Sequence, residues 1–163
     1  MVDLDTQTAP PSKVERWGSC LAHGSTLFIG VPLTILLHGF PLFLVPCPVA
    51  AYLIARSFRR RRLTWGAFQG MQASAVQLLI LLLVVLMLTA GPVPQLAVLF
   101  GTAAFLLFLY SLWGALDTLL GYDFRYAYIG NLMDRVSRTN LERSEPRRRW
   151  LGGSKPDRGD REE

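Results

Sequence analysis

The chain has 163 residues, of which 51% are hydrophobic and 18% charged, and its formal net charge is +5 at pH 7. This length fits a single domain, and the excess of apolar over charged residues favours a membrane protein. Residues 17–55 and 63–116 contain no Asp, Glu, Lys or Arg. A water-soluble fold carries charge on the surfaces that face solvent, so this pattern argues against one and leaves little room for a soluble domain.

The N-terminal tail, residues 1–16, is polar and mixed in charge. It carries Asp3, Asp5 and Glu15 against Lys13 in its first fifteen positions. A cleaved secretory signal starts with basic residues and then becomes apolar. We therefore expect the first apolar segment to stay in the protein and to act as its own insertion signal.

Four membrane helices are predicted after this tail. Each crossing needs about 20 mostly apolar residues, so each uncharged stretch fits two helices and a turn. The predicted helices cover approximately residues 20–38, 40–55, 65–90 and 95–120. The predicted fold class is all-α: a polytopic integral membrane protein whose four transmembrane helices form two hairpins within a membrane domain of residues 17–129.

The first predicted hairpin is rich in proline. The prolines of the first pair are Pro32, Pro41, Pro46 and Pro48. Prolines are tolerated in membrane helices where neighbours satisfy the freed carbonyl groups. A re-entrant pair that meets inside the membrane is therefore the alternative to two full crossings. Both arrangements, with a turn at Gly39, return the chain to the side from which it came.

The basic residues all fall on one side of this topology. The 17 Lys and Arg residues lie outside the two uncharged stretches, and the loop between those stretches holds Arg56, Arg59, Arg60, Arg61 and Arg62. An arginine at the bilayer centre costs roughly 2.5–3.5 kcal/mol, and short basic loops stay on the cytoplasmic side. We therefore predict an integral protein of the bacterial inner membrane with both termini in the cytoplasm.

These five arginines are expected to set the topology and to contact anionic lipid headgroups. Aromatic residues do not alternate with them as they do on RNA-binding surfaces, so no nucleic-acid partner is expected. The C-terminal tail, residues 130–163, is predicted to form a short amphipathic helix on the membrane and then to be disordered.

A polar group is predicted near the cytoplasmic ends of the helices. Asp117 is the one charged residue within an apolar helix, and Gln69, Gln72 and His23 belong at similar depth. An ionisable group in a membrane helix is a functional hypothesis by default, here a vestibule for a proton, an ion or a peptide segment. The alternative is a set of interhelical hydrogen bonds, each worth about 0.6–2 kcal/mol.

Small residues recur at four-residue spacing on the third helix, at Gly66, Gly70 and Ser74. This spacing lets another helix approach closely, either within the chain or from a second copy.

Cys20 and Cys47 are interpreted as small buried apolar residues rather than a disulfide. No metal site or cofactor is expected. The absence of a nucleophile–base pair, a carboxylate pair or a glycine-rich phosphate loop argues against an enzyme.

Three stretches carry a family resemblance. They are Glu15-Arg16 followed by Leu21-Ala22-His23, then Phe68-Gln69-Gly70-Met71-Gln72-Ala73, and finally Gly121-Tyr122-Asp123-Phe124-Arg125-Tyr126. In order and spacing they resemble the small four-helix bacterial membrane proteins of unknown function that are related to the Tic-type import component of the chloroplast inner envelope. The resemblance implies an α-helical membrane protein with cytoplasmic ends and a link to protein translocation.

Together these observations predict a non-enzymatic membrane protein that assembles with itself or with other membrane proteins. Such a protein would be an accessory component in translocation or envelope organisation. The alternative is a small transporter or channel that uses the polar group around Asp117.

Overall fold

The computed structural model describes residues 10–37, 44–127 and 129–130. Within these ranges the chain is helical and contains no strand, so the all-α prediction is confirmed there. The elements are α1 (Lys13–His23), a π-helical segment (Thr26–Gly30), α2 (Val31–Leu37), α3 (Pro46–Arg60), α4 (Thr64–Thr89) and α5 (Pro94–Leu120). The predicted turn at Gly39 and the predicted C-terminal tail helix and disorder lie outside the described residues.

Two helices, α4 and α5, are long and apolar enough to cross a bilayer, with mean hydropathies of 2.4 and 2.0. This agrees with a membrane location. Residues Lys13–His23 and Thr26–Leu36 pass the same test only as a pair, which is bent by 62°. The 15 residues of α3 extend about 22 Å, short of the roughly 30 Å of hydrocarbon. Among the described residues, two spans, or three with the bent pair, meet the length and composition requirement, so the prediction of four spans is not confirmed.

Helix α1 begins seven residues before the predicted start because Ser12 caps it. The Ser12 hydroxyl accepts from the Glu15 backbone N–H at 3.3 Å, and the Glu15 carboxylate accepts from the Ser12 N–H at 3.0 Å. These reciprocal bonds form a capping box, which satisfies N–H groups that have no partner within the helix. The apolar pattern used to place the helix did not include this signal.

The same carboxylate also serves a second helix. Glu15 Oε1 accepts from the backbone N–H of Gly66 at 3.2 Å, and Gly66 lies in the first turn of α4. Leu63 at the start of α4 provides no side-chain cap. A negative charge at a helix N-terminus is stabilising because the free N–H groups there carry partial positive charge. Glu15 therefore holds the starts of α1 and α4 together.

Helix α3 continues to Arg60, five residues beyond its predicted end, so part of the basic loop is helical. Arg59 and Arg60 lie in its last turn, where cations interact favourably with the free carbonyl groups. The helix then ends through Arg62, whose φ is 61°, and the Leu63 N–H returns to the Phe58 carbonyl at 3.0 Å. This closing bond is that of a Schellman motif, with arginine in the left-handed position that glycine usually occupies.

Helix α4 lies at the centre of the bundle and contacts α1, α3 and α5. Its small-residue face lies against α3. A Cβ at Gly70 would come within 2.9–3.1 Å of the Cβ, Cα and N of Ala55, and the Ser74 hydroxyl donates to the Pro48 carbonyl at 3.0 Å. The sequence left open whether this face contacts a helix of the same chain or a second copy of the protein. In the structure it contacts α3 of the same chain.

Replacing Gly70 by alanine should destabilise the bundle because the new methyl group meets the backbone of α3. Alanine favours a helix by up to about 1 kcal/mol, but overpacking costs about 1–3 kcal/mol, so a net loss is expected. Gly101→Ala is the matched control, since its Cβ would meet only the flexible Met87 side chain. Unfolding in detergent, followed by circular dichroism, compares the two. Equal stability of both variants would contradict this account of the α3–α4 contact.

A buried polar cluster at one end of the bundle

The chain folds back over the bundle after α5. Gly121, with φ at 92°, ends the helix in the left-handed conformation, and the Tyr122 N–H bonds to the Asp117 carbonyl at 2.9 Å. We call residues 121–127 the return segment. Its Phe124 and Tyr126 are buried, with ring centroids 4.9 Å apart and nearly perpendicular. Edge-to-face contacts of this kind anchor the segment.

The His23 side chain lies under this segment and is almost fully buried, with 1% of its surface exposed. Its Nδ1 lies 2.9 Å from the Tyr126 hydroxyl, and its Nε2 lies 3.4 Å from Gln69 Oε1. The Gln69 Nε2 in turn donates to Asp123 Oδ1 at 3.0 Å. We call His23, Gln69, Gln72, Asp123 and Tyr126 the polar cluster.

This chain of bonds fixes the protonation pattern. A carboxylate only accepts, so Asp123 turns the amide N–H of Gln69 toward itself and the amide oxygen toward His23. A neutral His23 ring then donates from Nε2 and accepts at Nδ1, which leaves the Tyr126 hydroxyl as donor. Burial raises the pKa of Tyr126, so the hydroxyl keeps the proton that this arrangement requires.

The outer end of the cluster reaches solvent. Asp123 Oδ2 pairs with Arg125 Nε at 3.0 Å, and both side chains are about half exposed. Gln72 completes the inner side, where its Oε1 accepts from the Tyr126 N–H at 3.1 Å. Its Nε2 is buried and has no hydrogen-bond partner among the residues that the structure describes. The cluster therefore connects an exposed ion pair to the interior through side chains of α1, α4 and the return segment.

A second set of polar groups supports the break after α1. The His23 carbonyl accepts from Gln77 Nε2 and from the Ser111 hydroxyl, each at 2.7 Å. Gln77 Oε1 also accepts from the Thr26 hydroxyl at the start of the π-helical segment. A bend frees backbone groups that cannot remain unpaired in an apolar environment, and side chains from α4 and α5 satisfy the carbonyl here.

The structure brings together three of the four residues predicted for a polar group. His23 contacts Gln69 directly, and Gln72 joins them through the backbone N–H of Tyr126, whose hydroxyl contacts His23. The fourth, Asp117, is partly buried, and its carboxylate makes no hydrogen bond within the described part of the chain. Asp123 supplies the carboxylate instead because the turn at Gly121 carries it back over the bundle.

Sequence reasoning missed Gln77, Ser111 and Thr26. Gln77 and Ser111 each place a hydrogen-bonding amide or hydroxyl group within an apolar helix, and that placement was the available signal, whereas Thr26 directly follows Ser25. An amide or hydroxyl placed deep in a membrane helix is expected to find a partner on another helix. What the sequence did not show is that the partner would be a backbone carbonyl freed by a bend.

The three stretches that carry the family resemblance meet at this end of the bundle. Arg16 lies beside Gly121, where an added Cβ would be 2.7 Å from the arginine Nε. The Arg125 guanidinium lies over the Phe68 ring, 5.5 Å from its centroid. Of the first stretch, Leu21 is exposed and Ala22 is buried. Residues of the three stretches, which are far apart in sequence, therefore lie close together at this end of the bundle.

The five arginines at the end of α3 have no carboxylate partner among the described residues. The ion pair within these residues joins Arg125 and Asp123. Within the same ranges, no three His, Cys, Asp or Glu side chains lie close enough together to hold a metal ion. Cys20 and Cys47 are buried thiols that are not joined to each other.

Comparisons with protein-family models, with curated proteins and with solved structures found no significant match.

Replacing Tyr126 by phenylalanine tests the central bond of the cluster. The variant keeps the ring but removes the donor to His23 Nδ1, so the free energy of unfolding should fall by about 0.5–1.5 kcal/mol. Tyr122→Phe is the control because Tyr122 is 65% exposed. Denaturant unfolding in detergent measures both. A Tyr126 variant as stable as the Tyr122 variant would show that the bond contributes nothing.

Proposed function

We propose that this protein is a non-enzymatic integral membrane protein that assembles with itself or with other membrane proteins, as an accessory component in translocation or envelope organisation. The observation that carries the proposal is the exposure of α5. About a third of the most apolar stretch of α4 is buried, but only 11% of the corresponding stretch of α5. Most of the circumference of α5 is therefore free to contact lipid or another protein.

The exposed side chains of α5 include large groups along its whole length. Val98, Leu106 and Trp113 are 68%, 59% and 62% exposed. Lipid tails contact any apolar side chain about equally well, so they do not favour one residue over another. A second protein adds close van der Waals contact with these side chains. This face is the proposed assembly surface.

The hydrogen bonds of the polar cluster favour a structural role over a vestibule. Both ring nitrogens of His23 and both amide atoms of Gln69 have partners within the protein. A transport site needs polar groups that exchange partners with a solute. These groups instead join α1, α4 and the return segment, which favours assembly over the transporter alternative.

Our proposed topology has four spans, with both termini and the arginine-rich turn in the cytoplasm of a bacterium and the protein in its inner membrane. Support comes from the one-sided distribution of basic residues and from α3, which packs along the apolar helix α4. The link to translocation rests on the family resemblance alone and is analogy.

A photo-crosslinking residue placed at Leu106 should yield an adduct of higher mass in native membranes, because its side chain faces away from the bundle. Mass spectrometry of the adduct identifies the partner as a second copy or another protein. The same residue at Val76, which is fully buried in α4, is the control and should react within the chain only. The proposal fails if Val98, Leu106 and Trp113 all give no adduct and the purified protein is a monomer.

Reporter fusions test the orientation. A reporter active only in the cytoplasm should be active after Glu163 and inactive when inserted at Gly91, in the turn between α4 and α5. The charge distribution gives the reason, since basic segments resist translocation. Activity at Gly91 together with inactivity after Glu163 would reverse the topology.

A further inference from the structure

The end of α3 and the start of α4 form an open crevice with a volume of about 420 Å³. Three arginines line it: Arg56, Arg59 and Arg60. The uncharged part of the lining, which we call its floor, includes Tyr52, Ala67 and Met71. Guanidinium groups beside apolar side chains are the pattern that a headgroup and an attached hydrocarbon chain would require.

Helical spacing concentrates the charge at this crevice. Arg56, Arg59 and Arg60 stand at positions i, i+3 and i+4 of α3, so they share one face of the helix. Like charges at these spacings destabilise a helix, and no carboxylate among the described residues pairs with them. Arg61 and Arg62 follow after the helix and do not line the crevice. A bound anion would relieve the repulsion.

The proposed topology places the crevice at the boundary of the bilayer. The 26 residues of α4 extend about 39 Å, which exceeds the roughly 30 Å of hydrocarbon, so its first turns reach the headgroup region. Ala67 and Met71 lie on the first two turns, and Tyr52 lies one turn from Arg56 toward the membrane interior. The arginines therefore stand at headgroup level with the apolar floor beneath them.

We propose that this crevice binds one anionic phospholipid, with its phosphate held by Arg56, Arg59 and Arg60 and its first acyl carbons against Ala67 and Met71. Guanidinium groups bind phosphate oxygens through paired N–H donors, which gives arginine an advantage over lysine at such a site. The inference rests on the proposed membrane location and is independent of the assembly surface on α5.

The test measures phospholipid retained by the purified full chain, using native mass spectrometry with added phosphatidylglycerol or phosphatidylcholine. The wild type should retain one phosphatidylglycerol and little phosphatidylcholine. The double variant Arg56→Gln/Arg59→Gln should bind phosphatidylglycerol about tenfold more weakly than the control Arg61→Gln/Arg62→Gln, although both lose two charges. Equal weakening in the two variants would indicate general surface charge and overturn the proposal.

A charge-neutral variant tests the floor. Ala67→Phe fills the crevice beside the partly exposed Ala67 and should also lower phosphatidylglycerol retention about tenfold, whereas Leu78→Phe on an exposed face of α4 should not. Unchanged unfolding midpoints show that both variants fold. Full retention by Ala67→Phe, or equal retention of both lipids by the wild type, overturns the site. A monomer that retains phosphatidylglycerol and gives no adduct at Val98, Leu106 or Trp113 would remove the assembly proposal and keep this one.

Discussion

The structure depends on the backbone carbonyl of His23. The chain bends after this residue, and the bend frees the carbonyl in an apolar environment where an unpaired group would cost several kcal/mol. Gln77 from α4 and Ser111 from α5 both donate to it, while the His23 ring bonds to Tyr126 on the other side. One residue therefore joins α1 to both apolar helices and to the return segment, and the first part of the chain is held by polar bonds rather than by apolar contacts alone.

The second hairpin was predictable from the sequence because its limits are local. Charge ends the apolar run on one side, and Gly91 with Pro92 ends α4 on the other, so the predicted bounds of 65–90 and 95–120 differ from the observed helices by at most one residue at any end. The first pair was harder to predict. Its bend is stabilised by donors 54 and 88 residues away in sequence, and no local pattern reports such distant partners.

The same distinction applies to the polar cluster. Shared depth near the starts of the first and third predicted helices was enough to predict that His23 lies close to Gln69 and Gln72. Choosing the carboxylate needed the path of the chain after α5, which the left-handed conformation at Gly121 determines. Asp123 thus provides the carboxylate that was expected from Asp117, one turn inside the helix. The predicted helices indicate which residues lie at the same depth in the membrane. The turns between helices determine which of those residues are in contact.

His23 and Tyr126 are 103 positions apart, so their contact has a consequence for biosynthesis. A ribosome delivers the histidine long before the tyrosine, and this end of the bundle stays open while both apolar helices are being made. Sealing it must await the last part of the membrane domain. A chain that ended before Tyr126 would keep its helices and the bonds to the His23 carbonyl, but the His23 ring would lack the hydroxyl that it contacts in the complete protein.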